Sequence, residues 1–226
     1  IISFRLGAIS ANFDENNRVM RQIFIGLILA GVLLSCKKSD SGAGSDNNNN
    51  TPTETPQLYQ YEVSPSITNT SITTYNNVHE VFLDTRTTLR NKLFVFLPGT
   101  SGFPSVYQLI VKKAAALGYH SIGLMYPNNS DIYTAAGSSS NLADFGNCRQ
   151  EMFDGIDRNS GVSVDGNNCI QSRLIKLLQY LQQQHPSQNW GQFMSGNDVD
   201  WSKVVVAGHS QGGGHAFYIS KIKSVD

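Results

Sequence analysis

The stretch Gly208-His209-Ser210-Gln211-Gly212 sets a serine hydroxyl between two glycines. It follows the apolar run Val204-Val205-Val206-Ala207 and leads into Gly213-Gly214-His215-Ala216-Phe217. That order predicts a strand, a sharp turn and a helix. A serine at such a turn occupies strained backbone, and the residues two positions either side must be nearly bare if strand and helix are to approach closely. Gly208 and Gly212 meet that demand. The chemistry open to a serine held this way is attack on an acyl carbon with formation of a covalent acyl intermediate. Ser210 is therefore the candidate nucleophile, with Gly208, His209 and Gly212 as the residues that shape its turn.

A serine hydroxyl is a weak nucleophile at neutral pH and needs a base to take its proton and a carboxylate to orient that base. The chain has five histidines. His209 is expected to turn into the core beside the serine, and His215 to be a packing residue on the helix that carries it. His79 and His120 fall in predicted strands, and His185 ends a predicted helix. None is assigned as the base. In chains with this turn the acid and the histidine follow the serine, so both are expected beyond residue 226, and the chain as it stands is expected to be nearly inactive. Charge developing on the acyl oxygen needs two backbone donors. The N–H of Gln211 is the first. The loop Pro98-Gly99-Thr100-Ser101-Gly102 supplies the second, assigned to Thr100 with Gly99 as the fallback.

The elements that must position these groups can be read from periodicity. Tyr59 to Tyr75 is an irregular lead or an edge strand. Val78–Leu83 alternates as a strand, and Lys92–Leu97 is almost continuously apolar, as in a strand covered on both faces. Pro104–Leu117 has Val106, Leu109, Ile110, Ala114 and Leu117 at helical spacing, with Pro104 at its start. Tyr119–Tyr126 reads as the next strand, which completes a βαβ unit. Asn128–Asn168 is rich in Gly, Ser, Asn and Asp and reads as a functional loop with a partial helix around Arg149–Phe153. Cys169–His185 is a helix with Ile170, Leu174, Leu177, Leu178 and Leu181 on one face. Trp190–Trp201 is a loop with two packing tryptophans. Lys203–Ala207 is the strand before the serine, and a last helix runs to Lys223. The expected fold is α/β, a mostly parallel sheet with flanking helices over residues 58–226, incomplete at its C-terminus.

Leu97-Pro98-Gly99-Thr100, the Gly208–Gly212 turn and Gly212-Gly213-Gly214-His215-Ala216 together resemble the α/β-hydrolase superfamily, in particular an exported bacterial branch of serine esterase and lipase-like enzymes. The resemblance covers about Val78 to Lys223. It implies hydrolysis of a carboxylic ester or related acyl bond through an acyl-enzyme, on a small-molecule or polymer ester, with no metal or organic cofactor. Two rivals stand beside it: a peptidase or acyltransferase on the same fold, and a non-catalytic surface lipoprotein that binds glycan or polymer.

The N-terminal quarter addresses location. Residues 1–19 precede the first methionine and are expected to be upstream read-through. Residues 20–36 read as a lipoprotein signal peptide: Arg21 is a positive start, Ile23–Leu34 a short apolar core, and Leu33-Leu34-Ser35-Cys36 resembles a lipobox whose cysteine is lipidated. Residues 37–57 form a polar, flexible linker. The protein is thus expected to be exported and held on a membrane, facing the periplasm or the cell surface, through a lipid at Cys36. Its 226 residues carry 17 basic and 17 acidic side chains, a balance that gives no reason to expect a nucleic-acid partner. Export permits a Cys148–Cys169 disulfide, worth about 3 kcal/mol for a loop of this length; two buried thiols are the alternative. Asp154, Asp157 and Asp165 suggest calcium, but the glycine and terminal glutamate of an EF-hand loop are absent at the matching offsets, and no metal site is expected.

Overall fold

A computed structural model of the chain describes residues 55–137, 141, 143–158 and 161–226. The expected read-through, the signal peptide, Cys36 and the linker up to residue 54 lie outside these residues. Among the described residues no helix is long and apolar enough to cross a membrane.

In chain order the elements are β1 (Leu58–Val63), α1 (Pro65–Thr68), β2 (His79–Asp84), β3 (Leu93–Leu97), α2 (Gln108–Ala116), β4 (His120–Gly123), α3 (Ile132–Gly137), α4 (Ala143–Asp154) and α5 (Ile170–Gln184). A two-stranded hairpin follows, β5 (Met194–Ser195) with β6 (Asp198–Val199), then β7 (Val204–Gly208) and α6 (Gln211–Ile222). Five strands form one sheet in the order β1-β2-β4-β3-β7. β2 pairs antiparallel with both β1 and β4, whereas β3 pairs parallel with β4 and β7.

The sheet is therefore mixed, which corrects the expectation of a mostly parallel one. The reason lies in the β2–β3 connection, residues 85–92, which is shorter than the dozen or so residues a parallel crossover needs. β2 must run against β3, and its place between β1 and β4 then makes half of the pairings antiparallel. The lead segment supplies the edge strand β1, and β7 forms the opposite edge of the described sheet.

Both faces of the sheet are covered: β2 and β4 are buried throughout, and they enclose the polar His79, Glu80, Asp84, His120 and Ser121 beside their apolar residues. Alternate residues of β3 divide between the two sides. Leu93, Val95 and Leu97 join Val81, Ile122 and Val204 against Leu174, Leu177 and Leu181 of α5 and Ile219 of α6. On the other side Phe82 and Phe96 meet Val111 and Ala115 of α2.

That second side corrects the predicted face of the first helix. Val106 and Leu109, expected to point inward, are 71% and 86% exposed, while Val111, Ala114 and Ala115 are buried. Residues Pro104–Tyr107 form a 3₁₀ turn before α2 begins. Its three-residue period breaks the phase of a count taken across the whole segment. The small side chains of Ala114 and Ala115 then let the helix sit close on the phenylalanines. Gln108 at the start of α2 donates to the buried Glu80 carboxylate of β2 at 2.8 Å, which ties the helix to the strand.

The stretch expected to be mostly irregular contains α3 and α4. Helix α4 buries Cys148, Glu151, Met152 and Phe153, and its Glu151 carboxylate accepts from the N–H groups of Arg158 (3.0 Å) and Val164 (3.3 Å), fixing the return of the chain. Cys148 and Cys169 are both buried and are not joined, so the expected disulfide is corrected. Cys169 has a different task. It is the N-cap of α5, its Sγ accepting from Ser172 N–H at 3.4 Å and lying 3.5 Å from the Gly166 carbonyl. One turn on, the buried Arg173 donates to the carbonyls of Thr74, Tyr75 and Asn168 at 2.9 Å and to Asn168 Oδ1 at 2.7 Å, stapling the lead segment to the core. Trp190 and Trp201 are buried packing residues, as expected.

Two histidines are enclosed in this core. Burial pushes the pKa of His79 on β2 and of His215 on α6 down from 6.5 to about 3, helped in each case by a nearby arginine. The unfolded chain takes up protons at these sites as the pH falls below 6.5, and the folded chain resists until about pH 3. Stability is therefore lost as the pH falls through that window, at up to about 1.4 kcal/mol per pH unit for each group. The urea midpoint is expected to drop steadily between pH 6.5 and 4, and less steeply in a His215→Phe variant; equal slopes in the two proteins would contradict the buried neutral imidazole.

Candidate active site

β7 ends at Gly208 and α6 begins at Gln211, leaving two residues for the turn. Ser210 takes φ 52° and ψ −118°, outside the regions an L-residue favours. Strain of this kind costs on the order of 1–3 kcal/mol and persists only where surrounding structure imposes it. Here the constraint is contact between backbones. A Cβ on Gly208 would collide with the carbonyl group of Gly212, and a Cβ on Gly212 would collide with the carbonyl oxygen of Leu97 at the end of β3. Only glycine at both positions lets the helix start beneath the β3 loop. Ser210 stands at the N-cap position of α6, but its side chain makes no capping hydrogen bond, and the residue is exposed. The hydroxyl is thus presented outward rather than used by the helix.

The loop after β3 closes over the same point. His209 N–H donates to the Leu97 carbonyl at 3.1 Å. A Cβ on Gly99 would lie 3.1 Å from His209 Nδ1 and 3.3 Å from Ser210 Cβ, so Gly99 is in contact with the turn itself. Thr100 Oγ1 donates to Gln211 Oε1 at 2.9 Å, a direct clasp between the two segments expected to supply the oxyanion donors. Gln211 stands at the first position of α6, where the N–H has no acceptor within the helix. The structure brings Gly99, Thr100, Gly208, His209, Ser210, Gln211 and Gly212 together in one place.

Residues the sequence reading missed hold this loop from below. Asn128 Nδ2 donates to the carbonyls of both Gly99 and Gly102 at 2.8 Å, and the Asn128 carbonyl accepts from Ser101 N–H at 2.9 Å. Tyr126 Oη donates to the Pro98 carbonyl at 2.7 Å. Burial raises the Tyr126 pKa, so the phenol keeps the proton it donates. The available signal was their place just after β4: parallel strands put Tyr126 and Asn128 at the same end of the sheet as Pro98.

The histidines behave differently. His209 does not turn into the core, which corrects that expectation: it is exposed, with Nδ1 3.0 Å from Tyr107 Oη. Its ring lies beside Gly99 and the Tyr107 ring. His215 is buried edge-on against Tyr126 at 5.5 Å and stays neutral. His79 Nδ1 accepts from Met125 N–H, His120 Nε2 lies 2.8 Å from the Gln188 carbonyl, and His185 stacks on Tyr61. Among the described residues no histidine hydrogen-bonds Ser210 Oγ. Asp226 sits at the opposite end of β7, its N–H on the Val204 carbonyl and its carboxylate paired with Lys92 at 2.7 Å. The candidate site therefore gathers the candidate nucleophile and the segments expected to supply the oxyanion donors, and among the described residues no histidine contacts the serine hydroxyl.

No protein-family model, no curated protein and no solved structure matches the chain.

The contact argument separates glycines that look alike in sequence. Gly212→Ala should destabilise the protein by about 3 kcal/mol or more, because backbone must move to admit the methyl group. Gly146 lies inside α4 with open space where its Cβ would stand, so Gly146→Ala should stabilise by about 0.5–1 kcal/mol. Urea unfolding of both variants checks the pair, and a tolerated Gly212→Ala would contradict the close approach.

Proposed function

We propose that the chain belongs to an exported serine hydrolase of the α/β-hydrolase class, cleaving a carboxylic ester or related acyl bond through an acyl-enzyme on Ser210. The observation that carries this reading is the strained, outward-facing Ser210 between two glycines that admit no side chain, with the Pro98–Gly102 loop clasped against it. The sheet order β1-β2-β4-β3-β7, with β2 alone running against the rest and the serine at the carboxyl end of β7, supports the same class.

In this reading Ser210 Oγ attacks the acyl carbon and passes its proton to a histidine that an acid orients. The acyl oxygen becomes an oxyanion held by the N–H groups of Gln211 and Thr100. The leaving alcohol departs with the proton, and water then releases the acid and regenerates the serine. The base and the acid come from outside the described residues. A lipid at Cys36 would hold the enzyme on a membrane, and its substrate would be a small-molecule or polymer ester.

One observation favours a second reading, a surface lipoprotein that binds polymer on the same fold without chemistry: no described histidine reaches Ser210. Labelling separates the two. In the full-length protein a fluorophosphonate is expected to label Ser210, and Ser210→Ala is expected to abolish the label. Labelling that persists in Ser210→Ala defeats the nucleophile assignment, and a folded wild-type protein that takes no label favours the binding protein.

A further inference from the structure

Beside the nucleophile helix lies a cleft of about 410 Å³, lined by Phe145, Arg149, Gly214, Phe217, Tyr218 and Lys221 among others. It begins one helical turn from Ser210, since Gly214 N–H donates to the Ser210 carbonyl at 3.1 Å. The Arg149 guanidinium lies against the backbone of α6 at Gly214. A Cβ there would stand 2.5 Å from Nη2 and 2.6 Å from Cζ, so the third glycine of Gly212-Gly213-Gly214 is the one that makes room for the arginine.

Among the described residues Arg149 has neither an ion-pair nor a hydrogen-bond partner, and its Nη1 is buried. The residue as a whole is half-buried, and its enclosed Nη1 lacks the acceptor that a guanidinium nitrogen taken out of water ordinarily has. Burial pulls its pKa down, the direction expected of a cation lacking its counter-charge. The groups it faces do not supply one, for His215 is neutral and burial keeps Tyr126 protonated. No carboxylate lines the cleft. The acids of α4 are engaged elsewhere, Glu151 with the N–H groups of Arg158 and Val164, Asp144 with Asn141 at 3.3 Å and Asp154 with Arg158 at 2.7 Å. Lys221 adds a second positive group to the lining.

We infer that this cleft binds an organic carboxylate, with Arg149 receiving the anion and the rings of Phe145, Phe217 and Tyr218 receiving the apolar body attached to it. A guanidinium fork matches a carboxylate in two-point geometry, and three aromatic rings in a space of this size suit a ligand larger than an inorganic ion. If Ser210 is the nucleophile, the cleft selects substrates that carry a free carboxylate beside the scissile acyl bond; that extension rests on the Ser210 reading, and the binding itself does not.

The test is equilibrium titration calorimetry on the full-length protein with phenylacetate, its neutral counterpart phenylacetamide, and inorganic phosphate. Phenylacetate is expected to bind about tenfold more tightly than the amide, the gain of one charge-assisted contact. Arg149→Gln, with an unchanged circular dichroism spectrum, should erase that preference. Gly214→Ala should weaken phenylacetate binding by displacing the guanidinium, and Ser210→Ala should leave it unchanged, which keeps this outcome separate from that of serine labelling. Equal binding of acid and amide, a preference that survives in Arg149→Gln, binding of phosphate alone, or no binding of phenylacetate would each overturn the proposal.

Discussion

The arrangement depends on one close approach: the first turn of α6 passes under the end of β3 with no side chain between them. Gly212 lies against the Leu97 carbonyl, Gly208 lies against Gly212, and the parallel register that pairs Leu97 with Gly208 brings both strand ends to the same level. Two loops that leave adjacent strands are thereby forced into contact. The hydrogen bond from His209 N–H to Leu97 and the clasp from Thr100 to Gln211 follow from that proximity. Ser210 absorbs the consequence in its backbone angles, and its hydroxyl has nowhere to point except outward.

The charge state of the surroundings fits this arrangement. Buried polar groups near the turn are held neutral: His215 by enclosure, and Tyr126 by enclosure with its proton committed to Pro98. The loop opposite the serine is fixed by neutral groups: the Asn128 amide donates to Gly99 and Gly102, and the N–H groups of Ser101 and Gly102 are taken by the carbonyls of Asn128 and Gly99. Arg149 is the exception, a cation beside the first turn of α6 whose counter-charge the described residues do not supply.

Much of this was legible in the sequence wherever one local rule decided the outcome. The turn was readable because two glycines at fixed offsets have a single steric explanation, and the loop after β3 because Pro-Gly-Thr follows a continuous apolar strand. Prediction failed where tertiary context decided. The sense of β2 depends on the length of the following connection rather than on its own residues. The buried face of α2 was misread because a 3₁₀ turn precedes it and because alanines, not the larger Val106 and Leu109, make the contact. Helix α4 was read only in part, around Arg149–Phe153, because of its glycine and asparagine and a buried glutamate whose partners lie across a loop. Cys148 and Cys169 suggested a bridge by number and compartment, but Cys169 caps α5. Asn128 and Tyr126 could be recognised as supports only once the strand order was known.

The central claim is that Ser210 Oγ and the N–H groups of Gln211 and Thr100 converge on one reacting centre. A crystal structure of the full-length protein after reaction with a phosphonate ester tests it most directly. The account predicts phosphorus bonded to Ser210 Oγ and the phosphoryl oxygen about 2.7–3.1 Å from both nitrogens. A phosphoryl oxygen turned to solvent, or an adduct on another residue, would contradict it.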